Sequence, residues 1–265
     1  MSGSLQRLKG MILRHVYVLK ASWPRLLELV YWPLVQMVLW GFITRFFLNH
    51  SSWVAEAAGV LISAVLLWDT LFRANLGVSY TFVEEMWSRN LAQLFVSPLR
   101  PWEMLVSLMG VSAVRTLISV TPAAFLALPF FDVWIFDVGP PLIVFFTNLL
   151  ITGWTVGLVV VSLVLRFGLG AESLCWLVIF LLAPISGIYY PIASLPDAVQ
   201  YISWVLPSSY VFEGMRSVLF DGVFRYDLLM GAVGFNLLYM TLAGLLFLRT
   251  FTVARRKGLL LQQGE

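Results

Sequence analysis

The residues of this sequence that could do chemistry are charged side chains placed singly inside apolar stretches. Asp69 and Arg73 stand four positions apart in one such stretch, and Arg115 stands in another with no charged residue near it. A charge among apolar side chains is costly unless it finds a partner. The i, i+4 spacing therefore predicts a local Asp69–Arg73 ion pair.

The sequence lacks the residue clusters that catalysis and metal binding require. His15 and His50, its only histidines, stand 35 residues apart and predict neither a metal site nor a Ser-His-Asp arrangement. The single cysteine, Cys175, cannot form an internal disulfide. No G-x-x-x-x-G-K-[ST] motif occurs, so the chain has no P-loop for the phosphates of ATP. We expect no catalytic site, no metal and no cofactor on this chain.

The composition explains why the charges are isolated. Of the 265 residues, 60% are hydrophobic and 12% are charged, against about 45–50% and about 25% in soluble domains. The 11 Trp, 9 Tyr and 20 Phe are residues of the kind enriched where membrane proteins meet the lipid–water interface. A net charge of +3 is too small and too dispersed to indicate nucleic-acid binding. The composition predicts an integral membrane protein.

Six stretches are long and apolar enough to cross a bilayer as helices, because about 20 residues span its hydrocarbon core. They are Leu29–Leu48, Val54–Leu76, Met104–Phe131, Pro141–Leu165, Leu174–Ile192 and Leu228–Phe251. Most of the 17 Lys and Arg residues then lie on the side that holds both termini. Positive residues mark the cytoplasmic side. We therefore expect an all-α protein of the cytoplasmic (inner) membrane with both termini in the cytoplasm.

Two features suggest how the helices are arranged. Gly153 and Gly157 have the G-x-x-x-G spacing that allows close helix approach, which favours packing within the subunit over dimerisation. Two interpretations of Arg115 remain open. It forms a structural pair or reaches towards the interface, or it acts at a subunit contact or on a substrate path.

The first 25 residues carry an apolar stripe at helical spacing. Its members are Leu5, Leu8, Ile12, Val16 and Leu19, and the basic residues beside them include Arg14, Lys20 and Arg25. This pattern predicts an amphipathic helix in the cytoplasmic interface, with a bend into the first span at Trp23-Pro24. A simple membrane anchor and a mechanical element are both compatible with it.

The cytoplasmic segment 77–103 is longer than a connector needs to be. A helix is predicted from Thr81 to Phe95, with Glu85 and Arg89 in the favourable order for an ion pair. Ser97-Pro98 would end it. Such a short amphipathic helix suits docking into a groove of another protein, or it is a surface helix without a partner.

The external segment 186–227 is nearly as apolar as a span but is interrupted by prolines. Asp197–Leu206 is predicted as one short helix, broken by Pro207. A second helix is expected from Ser208 or Ser209, with Glu213 and Arg216 as a pair inside it. We expect the segment to dip into the outer leaflet and return, with its backbone shielded by neighbouring helices.

These two segments resemble one protein family. EEMWSRNLAQLFVSPLRPWEM is similar to the cytoplasmic loop of ABC-2 type permeases, the membrane subunits of one class of ATP-driven exporter. That family shows an acidic residue, a helical stretch ending in apolar residues, and Ser-Pro-Leu. The matching positions are Glu84 or Glu85, Leu91–Val96 and Ser97-Pro98-Leu99. In the external segment the matching positions are Gly187, Pro191, Leu195-Pro196, Pro207, Tyr210 and Arg216.

The resemblance covers essentially the whole chain as one ABC-2 type domain, and it implies a mechanism. The helix from Glu84 to Val96 would be a coupling helix resting in a cleft of a separate ATPase subunit. The residues implied at this contact are Glu84, Glu85, Arg89, Leu94, Ser97, Pro98 and Leu99. Arg14, Lys20 or Arg25 would pair with Glu84 or Glu85. ATP and Mg²⁺ would bind to two such ATPase subunits, which serve two copies of the permease.

An exporter of this kind would move an amphipathic, lipid-like, glycoconjugate or drug-like substrate through the membrane. The alternative is an ion- or proton-coupled secondary transporter. That class is typified by interrupted spans with carboxylates at the bilayer midplane, and only Pro33, Pro122 and Pro184 hint at such interruptions here.

Overall fold

A computed structural model describes residues 2–48, 54–88, 90–91, 93 and 99–257, and these residues are almost entirely helical. The helices are α1 (Ser2–Lys20), α2 (Trp23–Leu48), α3 (Val54–Trp87), α4 (Pro101–Phe131), α5 (Pro141–Phe167), α6 (Leu174–Leu182), α7 (Asp197–Ser203), α8 (Pro207–Asp221) and α9 (Tyr226–Lys257). No strand occurs in the described part of the chain, which confirms the expected all-α class.

Five helices are long and apolar enough to cross a membrane, namely α2, α3, α4, α5 and α9. The sixth predicted span, Leu174–Ile192, is not confirmed in the described residues. The apolar helical stretch there runs only from Leu169 to Ile185. Seventeen residues rise about 25 Å, which is less than the roughly 30 Å hydrocarbon core. Pro184 and the left-handed Gly187, at φ 67°, end the helix before it reaches that length.

Helix α3 is the centre of the bundle. In its most apolar stretch 94% of the residues are buried, against 17% in α2 and 22% in α9. Gly153 and Gly157 of α5 lie directly against it. A Cβ on Gly153 would stand 2.5 Å from both the Ala74 Cβ and the Leu71 carbonyl oxygen. The G-x-x-x-G pair therefore serves packing within the subunit, as predicted.

Polar side chains hold the helices together where the packing is closest. Asn75 of α3 donates through Nδ2 to the Cys175 carbonyl oxygen at 2.9 Å. Between α5 and α9, Asn236 donates to Asn148 Oδ1 at 3.0 Å and accepts from Thr152 Oγ1 at 2.9 Å. Because all these groups are buried, each satisfies a polar atom that would otherwise be orphaned in an apolar interior.

Helix α1 lies where the sequence predicted an N-terminal amphipathic helix, but only Leu19 of the predicted apolar stripe is buried against the other helices. The buried residues are Met11, His15 and Leu19, whereas Leu5 is 70% exposed. The helix packs on α4 and α2, and a polar partner on α3 draws His15 inward. A stripe defined by hydrophobicity alone predicts that His15 faces away from the bundle. It takes no account of Glu85, the buried carboxylate of α3 that His15 contacts.

The predicted helix from Thr81 to Phe95 is not one separate element: its first part belongs to α3, and after a break at Ser88 and Asn90 the described residues Leu91 and Gln93 are helical again. Residues 81–87 continue α3 without a break, so the link to α4 begins only at Ser88. The reason is that this stretch is buried. Phe82 and Val83 are almost fully covered by neighbouring helices, and that tertiary packing extends the span helix. Glu84 and Glu85 consequently belong to the last turn of α3.

The external segment contains two short helices, as expected, but the second begins one residue earlier than predicted. Pro207 is the first residue of α8, with Leu206 as its N-cap, so Ser208 and Ser209 do not cap it. Proline is well suited to this position, because its missing N–H has no partner in the first turn anyway. Ser208 instead donates to Ser186 Oγ at 3.0 Å.

Candidate functional site

A cluster of ion pairs joins α1 to the C-terminal turn of α3, and we call this end of the bundle the α1 end. Glu85 is buried there. Its carboxylate lies 2.9 Å from Arg14 Nη2 and 3.0 Å from His15 Nε2. His15 Nδ1 lies 2.9 Å from the Met11 carbonyl oxygen, which fixes the ring orientation. The Arg14–Glu85 contact confirms one of the pairings that the sequence suggested between α1 and Glu84 or Glu85.

Glu84 points to a different neighbour. Its Oε2 accepts a hydrogen bond of 2.9 Å from Arg115 Nη2. The Arg115 side chain is 9% exposed and that of Glu84 is 27% exposed. Arg115 thus forms a structural pair, the first of its two interpretations, and its role at a subunit contact or on a substrate path stays a prediction. The adjacent glutamates divide their roles, because Glu85 holds α1 and Glu84 holds α4.

A third pair, Arg7 with Glu103, was missed by the sequence reasoning. Arg7 Nη2 lies 2.6 Å from Glu103 Oε1, and its Nε donates to Oε2 at 2.9 Å. The hydrogen bond to Glu103 raises the pKa of Arg7, so the guanidinium stays charged. Glu103 also accepts from the Arg100 backbone N–H at 2.9 Å, in the first turn of α4. A glutamate three residues after the start of a helix is a detectable capping signal, but nothing local indicates Arg7.

Only some of the other residues implied at the ATPase contact, or in a pair with Glu84 or Glu85, lie in the described part of the chain. Arg89, Leu94, Ser97 and Pro98 lie outside the described residues. Leu99 is half-buried where the link enters α4, and Lys20 is exposed at the end of α1. Arg25, at the start of α2, is exposed and lines a cavity between the helices.

This cavity lies at the α1 end and has a volume of about 290 Å³. Its charged lining consists of Arg25, Glu28, Arg73, Glu84 and Arg115. The predicted Asp69–Arg73 pair is not a direct contact, since no carboxylate of the described residues lies within 4 Å of Arg73, although the two side chains still attract each other electrostatically. Although the spacing is favourable, Arg73 extends into the cavity and Asp69 does not line it.

At the opposite end, which we call the distal end, Arg216 organises the external segment. Its Nη2 donates to three carbonyl oxygens, those of Gly187, Ile188 and Tyr190. Its Nη1 donates to Glu213 at 3.0 Å, which confirms the predicted pair. Glu213 in turn accepts from the Ile192 backbone N–H at 2.7 Å. Burial lowers the pKa of Arg216, and the nearby Glu213 opposes that effect.

The remaining external positions shape the same segment. Pro191 precedes a 3₁₀ turn, and Pro196 precedes α7. The left-handed backbone of Gly187 turns the chain ahead of both prolines. Tyr210 of α8 packs on Trp204 with ring centroids 5.1 Å apart. It also fills the space next to Gly231, where a Cβ would stand 2.5 Å from the tyrosine ring.

The charge cluster predicts a measurable role for Glu85 in holding α1. In a Met11→Cys variant, the thiol would lie on the buried face of α1, and native Cys175 is itself buried. Adding Glu85→Gln leaves Arg14 and His15 without their carboxylate. We expect maleimide to label position 11 about tenfold faster, which corresponds to a loss of about 1.4 kcal/mol in docking. Asp197→Asn, at the distal end, should leave the labelling rate unchanged. Equal rates for the two variants would show that Glu85 does not hold α1.

The described residues contain no group of three or more His, Cys, Asp or Glu side chains that could hold a metal ion. Two comparisons bear on the family. A search of curated proteins finds no match. The sequence profile described as ABC-2 type transporter matches residues 19–220, from the end of α1 to the last turn of α8. The match includes Glu84, Glu85 and most of the external segment, but not Arg14 or His15. The match covers well over half of the chain, and the chain is a multi-pass membrane protein of the ABC-2 type transporter family.

Proposed function

We propose that this chain is the membrane subunit of an ATP-driven exporter in which two copies work with two separate ATPase subunits. ATP and Mg²⁺ would bind to the ATPases. The cargo would be an amphipathic molecule, lipid-like, glycoconjugate or drug-like. In this proposal the α1 end faces the cytoplasm, and both termini lie there.

The observation that carries the proposal is the attachment of α1 to α3 through Glu85. An ATPase that moves α1, or the link that follows α3, acts on the same two glutamates. Glu85 passes a displacement to the central helix α3, and Glu84 passes it through Arg115 to α4. Since α3 contacts α2, α4 and α5, a shift of its C-terminal turn reaches most of the bundle.

The outer surfaces support a paired arrangement. Helix α2 exposes large apolar side chains along its length, among them Leu27, Trp32, Leu39 and Phe42. Helix α9 exposes a similar series, including Leu238, Leu242 and Leu245. Such faces suit lipid and the corresponding face of a second copy, which is how a pair of permeases would enclose a path for cargo.

Co-purification tests the proposal directly. The tagged chain, isolated from its own membranes, should retain a second polypeptide with a P-loop and ATPase activity. Isolation without any such subunit would contradict the proposal.

A blocking experiment tests which end the ATPase contacts. Gln93 is exposed in the link after α3, and Val223 is 55% exposed at the distal end. Each is changed to Cys and coupled to a polyethylene glycol maleimide, which leaves the buried Cys175 unlabelled. The polymer at position 93 should prevent recovery of the ATPase subunit, whereas the polymer at position 223 should not. The reverse result would place the ATPase at the distal end.

A further inference from the structure

We propose that the cavity at the α1 end binds the anionic group of an amphipathic molecule, a phosphate or carboxylate joined to an apolar chain. The role of this molecule as cargo rests on the proposed function, whereas its binding does not. The argument depends on three properties of the cavity, namely its buried guanidinium nitrogens without an acceptor, its charge balance and its aromatic wall.

The first property is a surplus of hydrogen-bond donors. Arg73 is 6% exposed, and its Nε is buried without a hydrogen-bond acceptor among the described residues. Its Cζ lies 5.5 Å from the centroid of the Phe72 ring. The Arg115 Nε is also buried without an acceptor, although Nη2 is bound to Glu84. A buried guanidinium without an acceptor is costly, so both groups favour an incoming oxygen anion.

The second property is the charge balance of the lining. Three guanidinium groups, those of Arg25, Arg73 and Arg115, face two carboxylates, those of Glu28 and Glu84. Glu84 is already engaged by Arg115. Glu28 is exposed and attracts Arg73 electrostatically, but it forms no ion pair within 4 Å with another described residue. The lining therefore carries a net positive charge. Its hydrogen-bond donors without an acceptor lie in the buried part of the cavity, so the cavity should bind an anion in preference to a cation.

The third property is an aromatic wall formed by Tyr80, Trp87 and Trp176. The Trp176 Nε1 donates to the Tyr80 hydroxyl at 2.9 Å, and the Trp87 Nε1 donates to Glu172 at 3.1 Å. Because both indole N–H groups are occupied, the rings offer mainly apolar surface. The Tyr80 hydroxyl hydrogen has no acceptor among the described residues and is free to donate to a ligand.

The shape of the cavity fits an elongated ligand. Arg73 and Trp87 lie 14 residues apart on α3, a rise of about 21 Å. The volume of about 290 Å³ is at the lower end of the range for small-molecule pockets. It accommodates a charged headgroup and the first carbons of a chain, with the remainder of the chain outside between helices or in lipid. The aromatic residues lie near the α1 end, where an amphipathic molecule would meet the membrane surface.

Binding can be measured on the full chain without any ATPase. The probes are dodecyl phosphate below its micelle concentration, inorganic phosphate and the neutral dodecyl maltoside, each titrated into the purified protein in nanodiscs. We expect dodecyl phosphate to bind more tightly than either of the other two. Arg73→Gln should weaken dodecyl phosphate binding at least about tenfold, because it removes a charged donor from the buried end. Arg25→Gln, at the exposed mouth, should weaken it about threefold without disturbing the buried packing.

Arg166→Gln is the matched control, since Arg166 is an exposed arginine of α5 that does not line the cavity. It should bind dodecyl phosphate as the unchanged protein does. The proposal is overturned if the neutral probe binds as tightly as the phosphate, or if both cavity variants match the control. Equal binding of inorganic phosphate would overturn the amphipathic assignment and leave a plain phosphate site. None of these results depends on an ATPase, so a failed co-purification would contradict the proposed function without touching this inference.

Discussion

Replacing Arg216 with methionine is expected to lower the free energy of unfolding by about 3–5 kcal/mol, since it removes one partner of a buried ion pair. The guanidinium satisfies the carbonyl oxygens of Gly187, Ile188 and Tyr190 and holds the Glu213 carboxylate. Methionine fills a similar volume but donates no hydrogen bond. Four acceptors would then lose their partner in a segment that has little regular structure of its own to compensate.

Two variants separate this effect from the general loss of an arginine. Arg225→Met removes an exposed arginine whose 2.5 Å contact with Asp227 is largely solvated, so stability should hardly change. Arg216→Lys keeps the charge but cannot direct a planar fork at carbonyls and a carboxylate together, so an intermediate loss is expected. Unfolding titrations in mixed micelles measure all three. A methionine variant as stable as Arg225→Met would mean that the distal cluster does not hold the external segment.

The sequence predicted elements well where one segment alone determines the outcome. Prolines and apolar runs were sufficient to indicate α4, α5 and the break between α7 and α8. The prediction failed where packing decided the result. Residues 81–87 continue α3 because neighbouring helices cover them, and a polar loop composition gave no sign of this. The predicted span over Leu174–Ile192 was long enough by composition, but the turn at Gly187 ends it.

The ion pairs of the candidate site also divide into those that local spacing predicts and those that depend on the fold. Pairs three residues apart, such as Glu213 with Arg216, follow from helical spacing and were predicted. Arg7 with Glu103 and Arg115 with Glu84 are separated by 96 and 31 residues, so only the fold brings them together. Asp69 and Arg73 were predicted to pair, and they attract each other without direct contact. Spacing makes that pair available, yet the side chain of Arg73 turns towards the cavity, and no local rule anticipates the cavity.

The second large effect on stability is expected at Gly153, where α5 packs against α3. Gly153→Ala should lower the free energy of unfolding by about 1–3 kcal/mol, the usual cost of overpacking a core. The added Cβ would lie 2.5 Å from the Leu71 carbonyl oxygen and 3.0 Å from the Asn75 nitrogen. These are backbone atoms of α3 and cannot rotate away, so α3 and α5 must separate. Gly153→Val should cost more, because two further methyl groups enter the same contact.

The same substitution at Gly234 provides the control, because a Cβ there has open space around it. Alanine favours a helix over glycine by about 1 kcal/mol, so Gly234→Ala should be neutral or stabilising. Unfolding titrations of both variants in micelles show whether each substitution lowers or raises the free energy of unfolding. A stable Gly153→Ala protein would show that α3 and α5 do not meet as closely as described. The contact also bears on function, because α3 carries Arg73 into the cavity and Glu84 and Glu85 into the charge cluster. A shift of α3 away from α5 should therefore weaken both dodecyl phosphate binding and the docking of α1.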